Sequence, residues 1–139
     1  MAVIRTKLKD LAQGTPVPDG VYHCEVVKLE ETEFQSGSWG FSGEHKILDG
    51  EQQNRRLFEN YILINEDGEL SGAAFRFAQL YEACVNDEVE LEGETEEVKE
   101  ILRNLAEACV GATFTCETEV EPGEAEYRDR ARIVRYHKD

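Results

Sequence analysis

The sequence predicts a mainly β domain of five strands with a helical insert between the third and the fourth. Three observations predict it. Apolar residues alternate at period two in the first half of the chain and again near its end. Gly, Pro and Asp-Gly punctuate those runs at turn spacing. Between them, over about 71–109, the apolar period lengthens to that of helices.

Taken in order, residues 1–19 carry mixed charge and end in Thr15-Pro16-Val17-Pro18-Asp19-Gly20, where proline presets φ and Asp-Gly closes a turn. They read as a weakly structured arm ahead of a domain spanning 20–139. From Val21, Tyr22, Cys24 and Val26 alternate with His23, Glu25 and Val27, then the pattern degrades toward Phe34, as in a long, half-buried strand that curls. Glycines at 37, 40 and 43 mark a loop or a bulged strand start. A second strand covers about Phe41 to Leu48, Asp49-Gly50 begins a turn, and Arg55 to Ile64 form a third strand. Ser71 is placed to cap a helix over Gly72 to Cys84, with Ala74, Phe77, Ala78 and Tyr81 at helical spacing. Thr95 is placed to cap a second helix, with Glu96 and Glu97 in the first turn, where the helix dipole favours anions. Val98, Ile101, Leu102, Leu105 and Cys109 mark its apolar face, and Gly111 ends it. Ala112 to Val120 alternate as a fourth strand, Pro122-Gly123 turns the chain, and Tyr127 to Tyr136 make a fifth. Three strands, a helical insert and two strands is the element order of an OB-fold, a five-stranded Greek-key barrel, although other α+β folds share it.

Charge sharpens the question of function. The 139 residues carry a formal net charge of −15, which taken alone repels phosphates. Between Val85 and Glu126, however, stand 14 acidic and 2 basic residues, while the other 97 residues carry 16 acidic and 13 basic. The acidity is regional, so a basic groove can exist elsewhere. The acidic 85–126 region suits recruitment of a basic partner, or is merely a solvated face.

OB-folds take single strands across strands 2 and 3, by stacking bases on aromatic rings and neutralising phosphates. Here a Gly/Ser loop carries Trp39, the only tryptophan, beside Phe41; Lys46 lies on strand 2, and Arg55, Arg56 and Tyr61 on strand 3. Trp39, Phe41 and Tyr61 are the stacking candidates, and Lys46, Arg55 and Arg56 the phosphate contacts. Against exposure, Trp39 and Phe41 share parity with Ile47 and could pack inward. Phe58, sharing parity with Ile62 and Ile64, is expected in the core. On strand 5, Arg128, Arg130 and Arg132 alternate with Asp129, Ala131 and Ile133 and project from one face. They form either a second phosphate ridge or cross-strand ion pairs with the acidic strand beside them.

Catalytic signatures are missing from the sequence. There is no phosphate-binding Gly-rich loop with its Lys-Ser/Thr, no G-x-S-x-G and no H-E-x-x-H, and histidines 23, 45 and 137 have no nucleophile at motif spacing. No cofactor, metal or enzymatic activity is expected. Cysteines 24, 84, 109 and 116 lack metal spacing and read as buried reduced thiols. No apolar core near the N-terminus suggests a signal peptide, and no run approaches the about 20 residues that span a bilayer. A cytoplasmic location without membrane attachment is expected.

Several short blocks together resemble a phage family catalogued as a domain of unknown function, DUF669. They are Pro18-Asp19-Gly20-Val21-Tyr22, Gln35-Ser36-Gly37, Ile47-Leu48-Asp49-Gly50, and Asn54-Arg55-Arg56-Leu57-Phe58-Glu59-Asn60-Tyr61, followed by Val110-Gly111. The fourth looks like the family's Gly-Arg-x-Leu/Phe-x-x-Asn block, with Asn54 in place of Gly. The resemblance implies an OB-fold protein that binds single-stranded DNA in a phage replication or recombination module, inside a bacterial host. It implies partners among replication or recombination proteins, reached through the acidic region, and is compatible with a homo-oligomer. The competing reading is an acidic protein-docking module or DNA mimic that binds no nucleic acid. A virion component is a third.

Overall fold

Alternation and turn chemistry produce the elements in the expected order. A computed structural model of the chain describes residues 16–123 and 129–139. Within them lie β1 (Gly20–Glu33), β2 (Trp39–Ile47), β3 (Arg56–Ile64), helices α1 (Phe75–Cys84) and α2 (Thr95–Cys109), then β4 (Thr113–Glu121) and β5 (Arg130–His137). The fold is mainly β, a single antiparallel sheet of order β3-β2-β1-β4-β5 with two helices inserted between β3 and β4.

The 14-residue β1 is the spine. Its first part pairs with β4 from Gly20↔Thr118 to Glu25↔Thr113, and its second part with β2 from Cys24↔Ile47 to Glu33↔Trp39. The register shifts between Val26 and Lys28, a bulge that bends a strand and raises its twist. One strand thereby serves two halves of a strongly curled sheet, which explains why its alternation degrades midway. The inward side chains, among them Cys24, Val26, Phe41, Ile47, Leu57, Tyr61, Phe114 and Ile133, meet Phe77 and Leu80 of α1 and Leu102 and Ala106 of α2.

The sheet is not closed into a barrel, since β3 and β5 remain edges with no ladder between them. Side chains bridge the gap instead. Glu59 of β3 accepts a 2.7 Å hydrogen bond from the Ile133 backbone N–H through Oε1, and a 3.0 Å bond from Arg76 Nη2 through Oε2. The same Arg76 nitrogen donates to the Ile133 carbonyl at 2.8 Å. An ion pair therefore satisfies both backbone groups of one edge residue, and Glu59 is only 2% exposed. Farther along the seam the Tyr61 and Tyr136 hydroxyls are 2.7 Å apart, and Tyr61 also meets His45 Nε2 at 2.8 Å. Burial holds the His45 imidazole near a pKa of about 3, hence neutral, and raises the Tyr61 phenol well above its ordinary value.

Local details differ from expectation where tertiary contacts claim the side chain. The Ser71 hydroxyl accepts from the Ala73 N–H within the turn before α1, and the helix starts later, after Ala74, without a side-chain cap. Thr95 is the first residue of α2 rather than its cap, and its hydroxyl donates to the Gly68 carbonyl at 2.8 Å, tying the helix to the turn after β3. Residues 16–19 are anchored rather than weakly structured: Val17 is buried, the Pro18 carbonyl accepts from Tyr22 and Thr118, and Asp19 accepts from the Val120 N–H. The rest of the expected arm, 1–15, lies outside the described residues. Cys24, Cys109 and Cys116 are buried, Cys84 is half-buried, and all four are free thiols.

Candidate nucleic-acid interface

The Gly/Ser segment does not display its aromatics. Residues 34–38 close a tight turn, with Gly37 at φ 87° and a hydrogen bond from the Phe34 N–H to the Ser38 carbonyl. β2 then begins at Trp39 with its odd-numbered residues facing inward, Trp39, Phe41, Gly43, His45 and Ile47 all being buried. Of the two readings open from parity, the inward one is found. Trp39 is 7% exposed. Its indole N–H donates to Glu31 at 3.0 Å, its ring meets Phe41 edge-on at 5.3 Å, and Lys99 and Arg103 of α2 lie 5.3 and 5.6 Å from its centroid. Arg103 grips the same Glu31 at 2.7 Å. These bonds from Arg103 and Trp39 hold the Glu31 carboxyl down at about 2. Phe41 packs on Phe77, and Tyr61 is 1% exposed. The three expected stacking rings are therefore core residues, which corrects their assignment to an exposed face.

The glycines of β2 serve this packing. A Cβ at Gly40 would collide with the Tyr61 carbonyl, and one at Gly43 would lie 2.7 Å from the Tyr61 ring. Close approach to Tyr61, rather than flexibility, requires glycine here.

The opposite correction concerns Phe58, which is 60% exposed rather than buried. Leu57, Glu59, Tyr61 and Leu63 face inward, leaving Arg56, Phe58, Asn60 and Ile62 on the outer face. The register shift between Trp39 and Gly40 then turns Ile64 inward, which falsely aligned Phe58 with the core. Phe58 sits opposite Glu44, flanked by the neighbouring pairs Lys46↔Arg56 and Ser42↔Asn60. The outer face of β2 and β3 thus gathers one exposed ring, two cations and two short polar side chains, with Glu44 among them. Arg56 lies 3.6 Å from Glu44, whereas Lys46 has no ion pair among the described residues. Arg55, at the entry to β3, is half-buried and hydrogen-bonded to Gln52 at 2.8 Å. It follows Asn54 at φ 73°, left-handed backbone that asparagine tolerates better than most residues, so Asn54 fills a glycine-like position without breaking the turn.

The arginines of β5 form cross-strand pairs. Arg132 and Arg130 lie 3.1 and 4.0 Å from Glu121, and Arg135 lies 3.6 Å from Glu117. Arg130 and Arg132 are therefore not an open phosphate ridge, and Arg128 lies outside the described residues.

A second surface lies between the helices. A cavity of about 730 Å³ is lined by Leu63, Phe77 and Leu102 and bordered by Leu70, Phe75, Val89 and Leu91. Those four border residues are half of the eight large hydrophobics that stand exposed among the described residues. Glu82, Asp87 and Glu88 line the same cavity, and among the described residues no Lys or Arg does. Among the described residues no group of three or more His, Cys, Asp or Glu is arranged to hold a metal, and no helix is long and apolar enough to cross a membrane.

Comparison with known families decides the kinship. The sequence matches the family described as "Protein of unknown function (DUF669)" over residues 5–120, most of the chain. The chain belongs to the DUF669 family. No curated protein matches it. Within this family member, the match covers the spine strand, the β2–β3 face and both helices, and stops as β4 ends.

Proposed function

We propose that this DUF669 protein binds single-stranded DNA on the outer face of β2 and β3, as an OB-type domain of a phage replication or recombination module. The observation that carries the reading is Phe58, an aromatic ring in water at the middle of β3. Exposing a phenyl ring forgoes about 2 kcal/mol of burial, and the ring stands on the surface where OB-folds take single strands. Lys46 and Arg56 lie beside it at phosphate-contact positions, and Asn60 and Ser42 supply hydrogen-bonding groups. The OB assignment draws support from β1 pairing with both β2 and β4, and from the side-chain seam between β3 and β5. Bases stack on Phe58 while the cations neutralise the backbone, so binding is salt-sensitive and weakly selective for sequence. No step of this activity calls on a cofactor, and the host cytoplasm is where such a protein would meet its DNA.

Fluorescence anisotropy with labelled oligothymidine at low ionic strength tests the reading. The wild-type chain binds, Phe58→Ala weakens binding, and Lys46→Glu with Arg56→Glu abolishes it. A wild-type chain that leaves the oligonucleotide free, or a Phe58→Ala chain that binds as wild type, overturns it. The acidic groove between the helices favours a second reading, a protein-docking module. That reading predicts that neither change matters and that neutralising Asp87, Glu88 and Glu90 does.

A further inference from the structure

The groove between α1 and α2 has an apolar floor and acidic lips. Leu63, Phe77 and Leu102 form the floor, and Phe75, Val89 and Leu91 stand exposed at its border. Its volume of about 730 Å³ lies within the range of about 300–1,000 Å³ typical of built binding pockets. Contiguous exposed apolar surface of this kind marks an interaction site. Its charged lining residues are Glu82, Asp87 and Glu88, all acidic.

Those charges choose among occupants. Three carboxylates repel a nucleic acid. A second copy would bring one chain of net charge −15 against another, and a two-fold contact through this groove would set the same carboxylates face to face. An uncharged apolar ligand would strip water from the carboxylates without pairing them. An occupant that is apolar on one side and positive on its flanks satisfies both the floor and the lips. The backbone decides its form. An extended peptide gains its affinity by adding a strand to a free sheet edge. Beside the groove the edge of β3 is already taken: the Ser71 N–H donates to the Leu63 carbonyl at 2.8 Å, and Ile64 forms an antiparallel bridge with Leu70. A helix arrives with its own backbone bonds made and needs only the floor and the lips.

We infer that the groove docks a basic amphipathic helix of a partner protein, its apolar stripe on Leu63, Phe77 and Leu102 and its Lys or Arg side chains against Glu82, Asp87 and Glu88. Residues 86–93, which carry Val89 and Leu91, form neither helix nor strand. That lip can therefore adjust to an inserted side chain without breaking an element of the fold. The inference rests on the docking role of this groove and narrows it to one class of partner. It stands whether or not the outer face of β2 and β3 takes DNA.

Anisotropy of a fluorescein-labelled peptide titrated with the full-length chain tests it. The probe is a peptide of about 18 residues, five helical turns, with leucines at i, i+3, i+4 and i+7 and lysines elsewhere. The wild-type chain binds it, and binds a peptide of the same composition in shuffled order more weakly. Val89→Ser with Leu91→Ser, and separately Asp87→Asn with Glu88→Gln, each weaken binding by about tenfold, equivalent to about 1.4 kcal/mol. Glu51→Gln with Glu66→Gln, which removes the same charge away from the groove, leaves binding unchanged. A wild-type chain that ignores the peptide overturns the inference, as does equal loss in the Glu51 and Glu66 control, which would reduce the effect to net charge. A peptide interrupted by prolines that binds as tightly also overturns it, and leaves a docking groove for an extended segment. A chain that sediments as a dimer, dissociated by the serine variant, assigns the groove to a second copy and overturns it too. If the serine variant melts early, the charge variant and its control decide alone.

Discussion

The two faces of β3 invert the usual rule of burial. Outward, Phe58 holds a phenyl ring in water; inward, its neighbour Glu59 holds a carboxylate in the core. Each exception has its own physical cause. Glu59 is retained because Arg76 and the Ile133 N–H together satisfy it, and because no ladder joins β3 to β5 at that point. Phe58 packs against no such partner among the described residues, and its exposure is what the proposed DNA-binding face rests on. The inward exception serves the fold, and the outward one is a test of the proposed function.

The comparison can be broken most forcefully from the inside. Arg76→Ala leaves Glu59 buried and uncompensated and is expected to cost about 3–5 kcal/mol of stability, measured by urea unfolding. Replacing both partners, Glu59→Leu with Arg76→Met, recovers most of that loss. A single variant as stable as the wild type would show that the pair does not hold the seam. From the outside, Phe58→Ala leaves the unfolding midpoint nearly unchanged while weakening oligothymidine binding by about 1–3 kcal/mol. If instead it unfolds the protein, Phe58 is a structural residue after all.

The His45 imidazole sharpens the inner side through pH. Its folded pKa is depressed to about 3 from 6.5 by burial, so the unfolded chain takes up the proton first. Stability therefore falls as pH drops from 6.5 toward 3, by up to about 1.4 kcal/mol per pH unit from this group. Thermal melts across that range, compared with His45→Gln, isolate the contribution; parallel profiles would contradict it. The smallest effect belongs to Glu31. Its lowered pKa contributes stability present above 4.5 and lost as pH falls toward about 2, a modest amount because the carboxylate is half-exposed and screened. Finally, Trp39 emission stays that of a buried indole and is unmoved by oligothymidine, whereas quenching would bring the tryptophan back among the candidate stacking residues.

Much of this architecture is legible in the residues. The alternation of β1, its fading where the bulge falls, the strong periodicity of α2 and the turn at Asp49-Gly50 all follow from local pattern. Strand 5 offered two outcomes, and the acidic neighbours of Arg130 and Arg132 took the electrostatically cheaper one. Alternation does not reveal the face of β3, because its inward set contains Glu59, a residue that hydropathy assigns to solvent, and because the extra residue Leu63, where the pairing steps from Gly40↔Ile62 to Trp39↔Ile64, shifts the parity of Ile64 against Phe58. Neither the Arg76 partner, 17 residues away, nor a register shift is written in local alternation. Counting from Leu57, Tyr61 and Leu63 would have placed Phe58 outside. Trp39 was misplaced for a related reason: its Gly and Ser neighbours suggest a loop, while the helix that covers the indole comes some 60 residues later.

The ion pair at the seam also bears on how copies of this protein can meet. An edge strand with unpaired backbone groups is a template for another chain. At the middle of β5, where β3 draws near, Glu59 and Arg76 occupy the N–H and the carbonyl of Ile133 that an incoming strand would need. Lengthening the sheet from that point would mean uncovering a buried carboxylate. Copies of this chain are thus steered to touch through helices and side chains, and the sheet of each stays its own.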